Sequence, residues 1–184
     1  LVTSLIAVPI GACVGAIAGY YGGIVDELFT WFYSVISSVP NLLLLIAISY
    51  AVGKGMLGVY ISLSATAWIG LARVIRGEFM KHKNREYVVA AESIGASQMS
   101  RIFKHIFPNV AHFMILNLSM QFMSAIKAEV ILSFLGLGVQ GQPSWGVMID
   151  DAKLELARGV WWQLTGATVA MTIVILALNM VGDA

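Results

Sequence analysis

"REYVVAAESIGASQMSRIFKHIFPN", residues 85–109, is polar, helical in pattern and broken once by glycine, in a chain that is otherwise mostly apolar. The 184 residues are 59% hydrophobic and only 11% charged, with a mean hydropathy of +0.84. A soluble domain carries about a quarter charged residues, so the composition points to an all-α, polytopic transmembrane helix bundle in a single domain, residues 1–184. The net charge of +1 leaves no basic excess to neutralise phosphates, which excludes nucleic acid as the main partner. Cys13 is the lone cysteine, so no intrachain disulfide and no cysteine-based metal cluster can form. It reads as a small apolar packing residue.

Working outward from residues 85–109, five apolar stretches have the length of a membrane span, about 20 residues. They are Leu1 to Tyr20, Leu28 to Val52, Met56 to Ile75, Val110 to Leu135 and Val160 to Val181. Seven of the eleven Lys and Arg fall between Arg73 and Lys104: Arg73, Arg76, Lys81, Lys83, Arg85, Arg101 and Lys104. Basic loops stay in the cytoplasm, so residues 85–109 face the cytoplasm and Leu1 starts outside. The chain opens in apolar sequence without Met and ends at "NMVGDA" without a polar tail. Both ends are expected to be cut from a longer protein, with one more helix upstream. Gly11, Gly15 and Gly19 recur every four residues, which lets a second helix approach closely. Pro9 and Pro40 lie inside expected spans, where each frees a carbonyl and can kink the helix.

Within the opening stretch, Tyr87, Ala91 and Ile94 share one helical face, as do Met99, Ile102, Phe103 and Ile106. Gly95 suits the left-handed end of the first helix. Ser97 can cap the second, and Pro108 suits the first turn of the following span. The pattern therefore predicts two short amphipathic helices with a glycine corner. Such a unit either rests on lipid headgroups or lays a helix into a groove of a cytoplasmic partner.

"YVVAAESIGAS…HIFPN" resembles the EAA motif of bacterial ABC-importer permease subunits. That motif reads E-A-A, three residues, Gly, nine residues, then I-x-L-P. Ala90, Ala91, Gly95 and Pro108 fall on the expected positions, whereas Val89, His105 and Phe107 replace its Glu, Ile and Leu. Glu86 and Glu92 flank the site. "LSFLGLGVQGQPSWGVMIDDAK" (132–153), "AGYYGGIVDELF" (18–29) and "NMVGDA" (179–184) resemble the dipeptide/oligopeptide/nickel permeases, and the chain is most similar to their C-type subunit. The resemblance implies the type I ABC-importer permease fold with a five-helix core, and a cytoplasmic coupling region over about 78–109. Its first helix, Arg85 to Ile94, would dock on an ATPase through Glu86, Tyr87, Ala90, Ala91, Glu92 and the Gly95 corner, with Pro108 closing the motif. It further implies half of a translocation path for peptides in a bacterial inner membrane. The implied partners are a second permease subunit, two cytoplasmic ATPase subunits and an extracytoplasmic binding protein. ATP and Mg would sit on the ATPases, so this chain is not an enzyme and carries no cofactor.

The residues themselves agree with that absence of chemistry. No G-x-x-x-x-G-K-[ST], H-E-x-x-H or G-x-S-x-G occurs, and His82, His105 and His112 read as interfacial or packed. Lys127 and Glu129 lie in the outer half of the fourth span, where charge is costly. One of them lines a substrate path and meets a peptide terminus, or Lys127 snorkels while Glu129 bonds a neighbouring helix. In an ion-coupled secondary transporter the same pair would hold the coupling ion. The sequence also admits a nickel or small-solute importer of the same family, and a nonconducting scaffold. Residues 136–159 read as an outer loop, with Gln140, Ser144 and Trp145 as candidate binding-protein contacts, a lid, or a plain interfacial loop.

Overall fold

In the computed structural model, residues 2–138, 141 and 143–182 are described. Among them the chain is helical, with α1 at Val2–Tyr21, α2 at Gly23–Ser37, α3 at Asn41–Val52, α4 at Met56–His82 and α5 at Glu86–Ser93. There follow α6 at Gln98–Ser100, a π-helical segment at Arg101–Ile106, α7 at Phe107–Phe134, α8 at Trp145–Leu156 and α9 at Trp162–Gly182. The all-α class expected from composition is what the chain adopts.

The expected segments need correction in two places. The stretch Leu28 to Val52 is not one helix: α2 and α3 meet at a bend of 83°. Pro40 brings no N–H and holds φ −53°, ψ 127°, while the Ser38 hydroxyl bonds back to the Val35 carbonyl at 2.7 Å. A helix reaching Val39 therefore cannot continue through Pro40. Helices α1, α4 and the run Gln98–Phe134 are each long and apolar enough to cross a membrane, and the bent pair makes four if counted as one. The fifth expected span, Val160 to Val181, is α9, a single helix of 21 residues. Finally, residues 136–159 are not all loop, because α8 occupies twelve of them. Pro9 is carried within α1 without ending it.

The chain packs as two compact units, and it passes between them inside α1, α4 and α7 and at Val39–Pro40. The first comprises Leu1–Ser4, Pro40–Thr66 and Ser119–Ala184. Its core joins Leu45 of α3, Val59 and Leu63 of α4, Ala128 and Leu132 of α7, and Leu137. The Gly55 N–H donates to the Leu137 carbonyl at 3.3 Å, tying the α3–α4 turn to the end of α7. A side chain at Gly146 would start 2.9 Å from the Val130 Cα, so α8 sits directly on α7.

The second unit comprises Leu5–Val39 and Ala67–Leu118. One cluster joins Val8, Leu71, Ile75, Phe79, Val88, Ile102, Ile106 and Val110, and another joins Ala7, Tyr33, Trp68, Ile69 and Ala72. A methyl carbon added at Gly11, Gly15 or Gly19 would lie 2.7, 2.5 or 2.5 Å from the carbonyl oxygen of Trp68, Ala72 or Arg76. The four-residue spacing on α1 thus matches a four-residue spacing on α4, and the two backbones touch. Close packing, the role expected of these glycines, is what they do.

Candidate functional site

The candidate site is the helix–glycine–helix unit between α4 and α7, and its construction begins at Arg85. Arg85 is the extended N-cap residue of α5, and Glu86 places a negative charge in the first turn, where the helix dipole favours it. Val88 and Ala91, three apart, are both buried, Val88 within a core cluster of the second unit. At the far end, the Ala96 N–H donates to the Ala91 carbonyl at 3.0 Å and the Gly95 N–H to that of Glu92 at 2.9 Å. This pair of bonds satisfies the orphan carbonyls of the last turn, and it requires the left-handed φ of +85° that Gly95 holds. Ser97 then caps the next helix, its Oγ accepting from the Ser100 N–H at 3.3 Å.

The second amphipathic helix is not separate from the fourth span. From Gln98 the chain stays helical into α7, passing through the π-helical turn Arg101–Ile106, where the Phe107 N–H reaches back to the Ile102 carbonyl. Pro108 follows immediately in the first turn of α7 and cannot donate. A widened turn just before a proline lets the helix continue without the missing bond. The second half of the unit is therefore an extension of α7, and α5 is joined to it through the Gly95 corner.

The expected apolar faces are split. Val88, Ala91, Ile102 and Ile106 point inward, whereas Ile94 is 86% exposed and Met99 and Phe103 are also exposed. A strip of Glu86, Tyr87, Val89, Ala90, Glu92 and Ser93 faces outward on α5. Glu92 is not free: its Oε1 lies 2.6 Å from Nη1 of Arg101 and closes a bridge across the glycine corner. On the other side, the Tyr87 hydroxyl lies 2.7 Å from Nδ1 of His82 at the end of α4. Burial pushes the Tyr87 phenol up from its ordinary pKa, against the nearby Arg85 charge, so it stays protonated at neutral pH. An open concavity of about 650 Å³ borders the strip, lined by His82, Asn84, Arg85, Glu86 and Tyr87.

The basic residues read as topology signals also have local work. Arg76 forms a two-pronged pair with Asp26 of α2, Nη2 donating to Oδ2 at 2.5 Å. Arg73 donates to the Ser37 hydroxyl at 2.9 Å and lies over the Tyr33 ring. Lys83 reaches the Tyr20 carbonyl at 3.4 Å. These contacts pin α1 and α2 to the end of α4 that carries α5. The sequence signal for them was the acidic pair Asp26 and Glu27, opposite a surplus of bases.

Two further groups of expected residues lie in the first unit. Lys127 is exposed on α7, whereas Glu129 is half-buried and accepts from the Ser133 hydroxyl at 2.7 Å. The structure does not bring the two together. Ser144 caps α8, its Oγ accepting from the Val147 N–H at 3.1 Å, and Trp145 opens that helix, half-buried. Gln140 lies outside the described residues.

Residues 11–184 match the family described as the binding-protein-dependent transport system inner membrane component. The chain belongs to this family. Among curated relatives of this permease family, it is 35% identical over 184 residues to the dipeptide transport system permease protein DppC of Bacillus subtilis (strain 168), covering 100% of the chain and 58% of the relative. It is 35% identical over 181 residues to the oligopeptide transport system permease protein OppC of Haemophilus influenzae, covering 98% and 58%. It is 31% identical over 180 residues to the glutathione transport system permease protein GsiD of Pectobacterium atrosepticum, covering 97% and 60%. The chain thus spans a little over half the length of these relatives. Among solved structures, it is similar to a chain of the MetNI methionine ABC transporter in an inward-facing conformation. The TM-score is 0.76 at 15% identity, covering 100% of this chain and 87% of that one. That likeness shows the fold alone: it is one found in a chain of an ABC transporter.

Proposed function

We propose that this chain is a permease subunit of an ATP-driven importer, forming half of the translocation path for peptides across a bacterial inner membrane. The observation that carries this reading is the α5–Gly95–α6 unit: an exposed helix, bonded at both ends and joined through the Gly95 corner to a helix that runs on into α7. A helix that only rests on lipid has no need of such fixing. A helix that receives a push from a partner does. In this reading α5 sits in a groove of a cytoplasmic ATPase, with a second permease subunit and an extracytoplasmic binding protein completing the importer. ATP hydrolysis takes place on the ATPases and rocks the permease pair between inward-open and outward-open packings. Supporting a peptide cargo, the relatives above are named for a dipeptide, oligopeptides and glutathione. In this reading Lys127, exposed on α7, meets a peptide carboxylate along the path. Ser144 and Trp145 hold the start of α8 for the binding protein.

The test uses the complete transporter in membranes, in a Cys13→Ser background. A cysteine at exposed Ala90 should crosslink to an ATPase in an ATP-sensitive manner, while one at buried Ala91 should react poorly. Labelling of the Ala90→Cys protein only by lipid-phase reagents, with no ATPase crosslink, would sink the docking reading.

A further inference from the structure

Three residues, Lys83 to Arg85, separate α4 from α5. Such a turn can flex, and any flexing there would absorb motion delivered to α5. On the α7 side the Glu92–Arg101 bridge stiffens the unit. On the α4 side stands His82, the last residue of α4. Its Nδ1 is 2.7 Å from the Tyr87 hydroxyl, and the two rings meet edge-on with centroids 6.2 Å apart. One turn back, the Glu78 carboxylate oxygen lies 3.5 Å from His82 Nε2 and 3.4 Å from Lys81 Nζ.

The chemistry of this row is directional. A carboxylate facing Nε2 favours the tautomer that carries its proton there. Nδ1 then presents a lone pair, and the Tyr87 hydroxyl donates to it. Glu78 thus orients the imidazole, and the imidazole orients the tyrosine.

We propose that His82 is a positioning residue of the docking unit: held by Glu78, it fixes Tyr87 and with it the angle of α5 on α4, so that motion imposed on α5 is delivered to α4. This rests on the docking reading given above and assigns a residue that the EAA-like pattern does not contain. A bond that merely stabilised the turn would be interchangeable with any other stabilisation of it. A positioning bond is not, because it acts through one atom of one side chain.

The experiment exploits that difference in the complete transporter, reading uptake of a labelled dipeptide per ATP hydrolysed. An asparagine amide falls near the place of Nδ1, and a glutamine amide near that of Nε2. His82→Gln should lower the ratio about five-fold, the worth of one hydrogen bond. Tyr87→Phe, which removes a single oxygen, should do the same, and the double variant should be no lower than either single. His82→Asn should recover most of the loss. In every variant the Ala90→Cys crosslink to the ATPase should persist. An unchanged ratio in His82→Gln and Tyr87→Phe, or equal behaviour of the Asn and Gln variants while the crosslink persists, would overturn the positioning role alone. Loss of the crosslink in the parent protein would overturn the docking reading, and this proposal with it.

Discussion

Substituting Gly15 by Ala adds one carbon at the point where α1 and α4 touch. That carbon would lie 2.5 Å from the Ala72 carbonyl oxygen and 3.0 Å from both the Arg76 nitrogen and the Ile75 Cβ. Carbon-to-carbonyl contacts settle at about 3.3–3.6 Å, so α1 must retreat by about 1 Å. The obstacle is helix backbone, which cannot rotate aside as a side chain would. A gap of about 0.5–1 Å forfeits a quarter to a half of the dispersion attraction at each facing contact. The buried residues Ala7, Ala12, Leu71, Ala72 and Ile75 all lie along this seam. Overpacking of this kind costs about 1–3 kcal/mol, offset by about 1 kcal/mol from replacing a helical glycine with alanine. The net loss is about 1 kcal/mol at the centre of that range, which for a chain of this size lowers the melting temperature by about 3 °C. Gly70, in the same α4 helix, has nothing within 4 Å of an added carbon. Gly70→Ala should keep the propensity gain alone and raise the melting temperature by about 2 °C. Thermal unfolding of the purified subunit in detergent, followed by loss of helical circular dichroism, compares the two. Shifts of the same sign would refute the argument that α1 and α4 meet backbone to backbone.

Two other perturbations test the supports of the site. Asp26→Asn leaves Arg76 without its charged partner and should cost about 2 kcal/mol; exchanging the pair, Asp26→Arg with Arg76→Asp, should recover part of that in a double-mutant cycle of unfolding. Additive losses in the cycle would mean that the two side chains do not act together. Ser144→Ala removes the cap of α8 and should cost about 1 kcal/mol, seen as faster hydrogen exchange over residues 145–148. Exchange there matching that of the parent protein would show that the cap is dispensable.

Much of the fold was legible because a bilayer imposes length and apolarity on each span. α1, α4 and α7 follow from those two quantities, and the glycine spacing on α1 identified a packing seam before its partner helix was known. The broken span was harder. Val39–Pro40 lies in a run apolar enough to cross a membrane, and hydropathy does not register a missing N–H. Pro40 signalled a kink, and the two serines before it distinguish a helix end from a kink, since each can bond back to a carbonyl. α8 was hidden for the opposite reason: its polar composition was read as loop, although Ser144 before a helical pattern is a cap signature.

The site divides along the same line. Local chemistry was readable: Gly95 takes the left-handed conformation, Ser97 caps, and the corner falls where the sequence put it. Orientation was not. Tyr87, Ala91 and Ile94 share a face by spacing, yet only Ala91 is buried, because the neighbours of an eight-residue helix decide its inward side. Those neighbours come from α4 and from the π-helical turn before α7, which lie close in space and apart in sequence. The same holds for the bonds that fix the unit. His82 and Arg101 flank α5 at distances of a few residues, but no periodicity links them to Tyr87 and Glu92. Their pairing depends on how two turns fold, one through Lys83 to Arg85 and one through Gly95. A change to either turn should therefore alter the docking strip without touching any residue on it.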